Sequence, residues 1–196
     1  GLDELHMYDL YTPMTENSGE HFSFEDAKKT VLEGLAPMGE EYLSHLKDGF
    51  EHGWIDVYEN QGKRSGAYSW GAYGTHPYVL LNYQGTLNDV FTLAHEMGHA
   101  LHSWYSDETQ PYIYAGYRIF VAEVASTCNE ALLIHHLLKK AKDPKTKAYL
   151  INYFLEQFRT TLYRQTMFAE FEKITHGLQE AGEALTAERL CSIYYD

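Results

Sequence analysis

The stretch His95-Glu96-Met97-Gly98-His99 constrains this chain more than any other, because it has the pattern H-E-x-x-H. Residues at positions i and i+4 of an α-helix lie one turn apart on the same face. Two imidazoles placed in this way can share one tetrahedral Zn²⁺, and the glutamate between them then lies beside the open coordination position as a general base. The pattern alone leaves a second interpretation open, in which both histidines lie on an ordinary buried helix.

The residues around the motif predict a long amphipathic helix, because apolar side chains recur there with a helical period. These apolar positions are Val90, Phe91, Ala94, Met97, Gly98, Leu101, Trp104 and Tyr105. The side chains of His95, His99 and His102 form a stripe next to the apolar face. Thr86 or Asn88 can cap the first turn. We therefore expect a packed helix that presents its histidines to a cleft.

The charge distribution restricts the kind of ligand. Residues 65–117 contain no Lys or Arg, and a nearby fixed cation would make the binding of a dication less favourable. A buried, aromatic-rich segment also excludes Lys, so both explanations stay open. The net charge of the whole chain is −13, which argues against nucleic acid or an anionic membrane surface as a partner.

Length and composition predict one domain, residues 1–196, because 44% apolar content is enough for one substantial core. No run of eighteen apolar residues predicts a transmembrane helix, and no signal peptide is visible. Cys128 and Cys191 are the only cysteines, which is typical of a reducing cytosol, so we expect a cytoplasmic location. The chain begins with Gly1 and ends in an aromatic stretch, and we interpret it as a piece of a longer protein.

The coarse pattern predicts a mostly α fold with a small antiparallel sheet, in the α+β class. Besides the motif helix, the predicted helices are 24–35 after the N-cap Ser23, 40–52, 119–140, 146–176 and a last segment from Thr186. Short strands are predicted at 5–11, 54–58, 67–70 and 78–83. Residues 106–116 are predicted to form a loop.

A hydrolytic zinc site needs a third protein ligand, and Glu123 on the next predicted helix is the candidate. Its neighbours at 120–122 and 124–125 are apolar, and a carboxylate buried among them would be costly unless a metal compensated it. A glutamate at the solvent edge of that helix is the other interpretation. Glu130 shares the Glu123 face and is the candidate acceptor for the second N–H of a ligating histidine, with Asp89 as the alternative.

Other polar side chains have weaker claims to a role. The candidate oxyanion donors are Tyr112, Tyr114, Tyr117 and His102. Core packing is the competing explanation for each of them. The strand at 66–70 can pair with the backbone of an extended peptide. Glu108 lies in a polar stretch that water reaches, which makes it a poor ligand. His135 and His136 lie away from the Glu123 face and are interpreted as structural.

Two stretches, 95–102 and 120–127, resemble the oligoendopeptidase F branch of the thimet oligopeptidase-like zinc metallopeptidases. Residues 7–11, 62–70, 78–96 and 164–172 are similar to that family too, so the resemblance covers nearly the whole chain. It implies a helical zincin-like catalytic core, one zinc ion per chain, and cleavage of internal bonds of short peptides inside a deep channel. By this resemblance His95, His99 and Glu123 are metal ligands, and Glu96 is the general base.

The resemblance also implies that part of the machinery lies outside this chain. The family's substrate-binding His and Tyr residues, which stabilise the oxyanion, lie C-terminal to the matched part, so substrate-binding residues stay unassigned here. An alternative function is a zinc-bearing helical fragment with a structural or peptide-binding role and no turnover. A third is a helical interaction domain in which H-E-x-x-H is accidental.

Overall fold

The computed structural model describes residues 4–15 and 19–195 of the chain. They fall into two units, of which one spans Asn17–Lys147 and the other combines Gly1–Glu16 with Ala148–Asp196. That residues 1–196 form a single domain stays a prediction. The predicted fold class, mostly α with a small sheet, is confirmed.

Helices make up most of the described chain. They are α1 (Phe24–Gly34), α2 (Glu40–Glu51), α3 (Leu87–Thr109), α4 (Tyr112–Ala115), α5 (Ile119–Lys140), α6 (Pro144–Gln157), α7 (Arg164–Glu180) and α8 (Ala187–Tyr195). Short 3₁₀ helices lie at Met7–Tyr11 and Ala36–Met38, and a π-helical segment, Phe158–Tyr163, lies between α6 and α7. None of the helices in the described residues is long and apolar enough to cross a membrane.

The sheet has three short strands, β1 (Ile55–Asp56), β2 (Tyr68–Trp70) and β3 (Tyr78–Leu80), in the order β1-β3-β2. The predicted antiparallel pairing holds for β2 and β3, with Ser69 opposite Val79. It does not hold for β1, which pairs with β3 in parallel, so the sheet is mixed. Strand β2 runs opposite to β1, and the chain turns back again to form β3, so β1 and β3 run in the same direction. Strand β2 lies at one edge of the sheet.

Helix α3 begins as its sequence predicts and lies at the centre of the Asn17–Lys147 unit. The side chain of Thr86 accepts a hydrogen bond from the N–H of Asp89, and the Asp89 carboxylate accepts one from the N–H of Thr86 at 2.8 Å. This capping box satisfies N–H groups that the first helical turn leaves unpaired. Below it, Val90, Phe91 and Leu101 are almost completely buried, so the apolar face forms the core.

Three local predictions were wrong. Residues 7–11 form a 3₁₀ helix and not a strand, because the backbone of His6 and the side chain of Asp9 close a local turn at 2.9 Å. The expected loop begins late, since α3 continues to Thr109 and ends just before Pro111, which disfavours a helical residue ahead of it. The expected single helix over 146–176 is interrupted by the π-helical segment.

The stretch 112–124, which joins α4 to the start of α5, exposes large apolar side chains. They include Tyr112, Ile113, Tyr114, Ile119, Phe120 and Val124, and Phe120 is 90% exposed. Single exposed apolar residues are common on protein surfaces, but this density within thirteen positions is not. The apolar residues around Glu123 favoured a buried start of α5, and the structure corrects this.

Candidate metal centre

Helix α5 approaches α3 closely at the motif because residue 98 is a glycine. A Cβ atom built on Gly98 would lie 2.8 Å from the Cα of Ser126 and 2.9 Å from the carbonyl oxygen of Ala125. Such contacts are too short for carbon, so any larger residue would force the two helices apart. This close approach brings the first half of α5 over the face of α3 that carries His95 and His99.

Three side chains converge where the helices meet. The Nε2 atoms of His95 and His99 are 3.1 Å apart, and the Oε2 atom of Glu123 lies 3.3 Å from the first and 3.4 Å from the second. Ligands held tetrahedrally by zinc at about 2.0–2.1 Å are separated by about 3.3 Å. The three atoms therefore have the spacing of one face of a zinc coordination tetrahedron, and this group can hold a metal ion.

Glu130 contacts the far side of the His95 ring. Its Oε1 atom lies 2.6 Å from Nδ1 of His95, and its side chain is only 15% exposed. An ionised carboxylate only accepts hydrogen bonds, so Nδ1 carries a proton, and in the neutral ring Nε2 then presents a lone pair to the cluster. Burial lowers the pKa of His95, but the hydrogen bond to Glu130 and the charges of the neighbouring carboxylates raise it, and the net shift is upward.

The Glu123 carboxylate is more exposed than the sequence indicated, with 55% of its side chain accessible. The expectation that burial among apolar neighbours would make it costly was wrong, because Val124 and Phe120 face outward. What restrains the carboxylate is Ser126, whose hydroxyl donates a hydrogen bond to Oε2 at 2.7 Å. Ser126 is fully buried, so this contact orients the oxygen that faces the histidines.

Glu96 and His99 have shifted pKa values for reasons visible in the structure. Glu96 is buried, and burial raises the pKa of its carboxyl; His95 lowers it, and the charges of Glu123 and Glu130 raise it further. Burial lowers the pKa of His99 despite the opposing charge of Glu123. Neutral imidazole is the form that binds metals, so this shift favours ligation by His99.

A buried polar network lies behind the cluster. Asn129 is 1% exposed, donates a hydrogen bond to the carbonyl of Ala94 at 3.0 Å, and accepts one from the hydroxyl of Tyr42 at 3.0 Å. Burial raises the pKa of Tyr42 to about 12, so its hydroxyl stays a donor. The network joins α2, α3 and α5 at the residue before His95, and a slip of α5 along α3 would leave these buried groups unpaired.

A cavity of about 760 Å³ opens beside the cluster. His99 and Glu123 line one part of it, and Trp70 of the edge strand β2 lines another. Further along α3, Ser103 and Asp107 also line it, followed by Tyr112, Tyr117 and Ile119. The cluster therefore lies at the side of an open cleft and not in a closed core.

The remaining residues that the sequence singled out lie outside the group formed by His95, His99 and Glu123. Asp89, the alternative acceptor, caps α3. Tyr117 lines the cavity with its hydroxyl 2.8 Å from that of Ser103, and the ring of His102 stacks on it with ring centres 3.8 Å apart. Burial lowers the pKa of His102. The Nε2 atom of His136 lies 3.6 Å from Oε2 of Glu33 in α1.

Sequence reasoning missed several residues that shape this site. Ser126 lies three positions after Glu123 on one helical face, a spacing that predicts contact, yet it received no role. Asn129 gave no signal, because an isolated asparagine in a helix has many explanations. Gly98 lies within the motif, but its contact with α5 depends on helix packing that periodicity does not reveal.

The chain is similar to known peptidases over its whole length. The sequence pattern of Peptidase family M3 matches residues 1–196. The chain is 56% identical over 195 residues to "Oligopeptidase PepF" of Bacillus subtilis, covering 100% of this chain and 29% of that protein. It therefore spans about a third of the length of the curated relatives it matches.

Solved structures show the same relationship. The crystal structure of oligoendopeptidase F from Enterococcus faecium is similar with a TM-score of 0.60 and 34% identity, covering 100% of this chain and 28% of that one. A proposed peptidase from Chlamydophila abortus is similar with a TM-score of 0.85 and 45% identity, over 99% of this chain and 32% of that one. The resemblance to oligoendopeptidase F is confirmed, and the chain belongs to Peptidase family M3.

Proposed function

We propose that this chain is the catalytic core of a zinc metalloendopeptidase that hydrolyses internal bonds of short oligopeptides. The observation that carries the proposal is the convergence of His95 and His99 of α3, the helix of Glu96, with Glu123 of α5 at tetrahedral ligand spacing. Two imidazoles and one carboxylate form a donor set found in hydrolytic zinc sites, where the fourth position is left for water or substrate.

In this scheme the zinc, when bound, polarises the scissile carbonyl and lowers the pKa of water. Glu96 accepts the proton of the attacking water and passes it to the leaving amine. Burial supports this role, since the raised pKa of the Glu96 carboxyl brings its basicity closer to neutral pH. Glu96 is not a ligand here, so its work is proton transfer alone.

Glu130 and Ser126 hold the ligands in place. The carboxylate of Glu130 keeps the proton of His95 on Nδ1 and fixes the plane of the ring. The hydroxyl of Ser126 holds the Glu123 oxygen toward the two histidines. Both contacts reduce the reorganisation that metal binding requires.

The substrate would lie in the cavity, beside the cluster. Strand β2 is at the edge of the sheet, and its residues Ser69 and Trp70 line the cavity. The free backbone groups of an edge strand can pair with an extended peptide, which fixes the scissile bond relative to the cluster. Tyr112 and Tyr117 also line the cavity and are candidate donors to the oxyanion.

We propose a cytoplasmic location and short peptides as partners. Both cysteines, Cys128 and Cys191, are free thiols, which suits a reducing compartment. The acidic net charge of −13 disfavours binding to nucleic acid or to an anionic membrane surface.

The test is metal content and peptide turnover measured on one sample, with the protein in the full length that its gene encodes. We expect one zinc per chain, loss of turnover on chelation and its return on adding zinc. Glu96→Gln should abolish turnover and keep the zinc, because only the proton acceptor is removed.

Well under one zinc per chain after zinc addition would refute the metal site. Loss of zinc from Glu96→Gln would show that Glu96 is a ligand, and bound zinc without turnover in the parent would favour the alternative, a structural or peptide-binding role.

A further inference from the structure

We propose that Asp107 and the tyrosine rings of Tyr73 and Tyr112 form a subsite for a positively charged group of the substrate. This inference rests on the proposed peptidase function and adds a substrate class to it. The charged group is the ammonium of a peptide N-terminus or the side chain of Lys or Arg.

The position of Asp107 on α3 supports the proposal. His99, Ser103 and Asp107 follow one another at intervals of four residues, so they lie along one face of the helix, and all three line the cavity. Eight residues of α-helix span about 12 Å. An extended peptide advances about 3.3 Å per residue, so Asp107 lies three to four substrate residues from the metal cluster.

The charge of Asp107 has no counterpart in the cleft. The two acidic residues that line the cavity are Asp107 and Glu123, and the Glu123 carboxylate faces His95 and His99. No Lys or Arg lines the cavity among the described residues, and residues 65–117 contain none. Asp107 forms no ion pair with any described residue. Once a metal engages Glu123, the carboxylate of Asp107 remains as the unbalanced charge of the cleft.

Aromatic rings that line the same cavity as this charge favour a cation over other ligands. Tyr73 and Tyr112 line the same cavity, and their rings meet edge to face with centres 5.5 Å apart. The hydroxyl of Tyr73 donates a hydrogen bond to the carbonyl of Gln110 at 3.0 Å, which fixes this ring against the end of α3. Faces of aromatic rings attract ammonium and guanidinium groups, and a nearby carboxylate strengthens that preference.

The test measures kcat/KM for short fluorogenic peptides in which one Lys moves through every position of an otherwise neutral sequence. Each peptide is made with a free and with an acetylated N-terminus, so that the two sources of positive charge are separated. We expect the full-length protein to prefer a positive charge at one register by about tenfold, and the preference to shrink at high salt. Asp107→Asn should remove this preference, so that the preferred Lys peptide and the acetylated neutral peptide are cleaved with similar kcat/KM.

Glu108→Gln is the matched control, because it removes one negative charge from the neighbouring, exposed position. It should keep the preference, whereas Asp107→Lys should turn it into a preference for Glu at the same register. An equal rate for all peptides, or a preference that survives in Asp107→Asn, would overturn the inference. Both results require turnover of the neutral peptide, so they differ from failure of the proposed peptidase function, in which no peptide is cleaved.

Discussion

Two glutamates on one face of α5 contact the same histidine in different ways. Glu123 meets the Nε2 side of His95, where its oxygen also lies within 3.4 Å of His99. Glu130 meets the Nδ1 side at 2.6 Å and does not belong to the group of three converging ligand atoms. In the proposed site, one carboxylate therefore supplies a candidate ligand atom, and the other would act through the ring that it contacts.

Replacing each glutamate separately should distinguish these roles. Glu123→Gln should weaken zinc binding severely, because it removes a charged ligand. Glu130→Gln should weaken it by roughly ten- to a hundredfold at most, because the amide oxygen still accepts the Nδ1 proton. Competition with a chelator gives both affinities. A Glu123 variant that holds zinc like the parent, or a Glu130 variant that loses it entirely, would reverse the assignment.

At the scale of elements, the separation of α3 and α5 decides whether the ligands can meet. Gly98 permits the close approach, and the Asn129 side chain fixes the register through the Ala94 carbonyl. Neither residue contacts the converging ligand atoms. The geometry of the candidate metal centre is thus a property of helix packing as much as of the H-E-x-x-H pattern.

Gly98→Ala should destabilise the protein even though alanine favours helices. A methyl group at this position would meet backbone atoms of α5 at 2.8–2.9 Å, and overpacking of this kind costs about 1–3 kcal/mol. Gly177→Ala in α7 is the control, since a Cβ there meets nothing within 4 Å and should stabilise by about 1 kcal/mol. Urea unfolding measures both, and zinc affinity should fall for Gly98→Ala alone. Unchanged stability and affinity in Gly98→Ala would contradict this account.

The sequence predicted those elements whose patterns are long and repeated. Helices α3 and α5 each extend over more than twenty residues with caps or sustained apolar spacing, and both were found. The strand expected near Tyr8 rested on a few alternating residues, and a local Asp9 hydrogen bond outweighed them. The π-helical segment has no sequence signature, and the parallel pairing of β1 depends on contacts distant in the chain.

The candidate site was predictable to a similar extent. The spacing of His95 and His99 identified two of the three candidate ligands, and Glu123 followed from its place on the next predicted helix and from the family resemblance. Periodicity gave the shared face of Glu123 and Glu130 but could not give their distances from His95. The exposure of Glu123 was not predictable, because the apolar residues Phe120 and Val124 look like core residues in the sequence.

At the scale of the whole molecule, the chain covers 29% of one relative and 32% of another. The cavity of about 760 Å³ beside the cluster is open to one side. Substrate binding and oxyanion stabilisation depend on groups on both sides of the scissile bond.

These 196 residues alone should therefore be a poor peptidase that still binds zinc. The three candidate ligand side chains all belong to this chain, whereas a missing oxyanion donor typically lowers the rate by about a hundredfold or more. The comparison is zinc content and kcat/KM of the 196-residue chain against the full-length gene product. Equal kcat/KM for the two proteins would contradict the prediction.

The exposed stretch 112–124 also bears on how a cell treats this chain. Chaperones and quality-control proteases act on polypeptides that display apolar segments, because such segments mark unfinished folding. A copy that exposes Ile113, Ile119 and Phe120 to water presents such a segment to chaperones and proteases even when its helices are fully formed. Its abundance would then depend on how soon this stretch is covered after synthesis, and mutations that leave it uncovered would act through turnover of the protein and not through its chemistry.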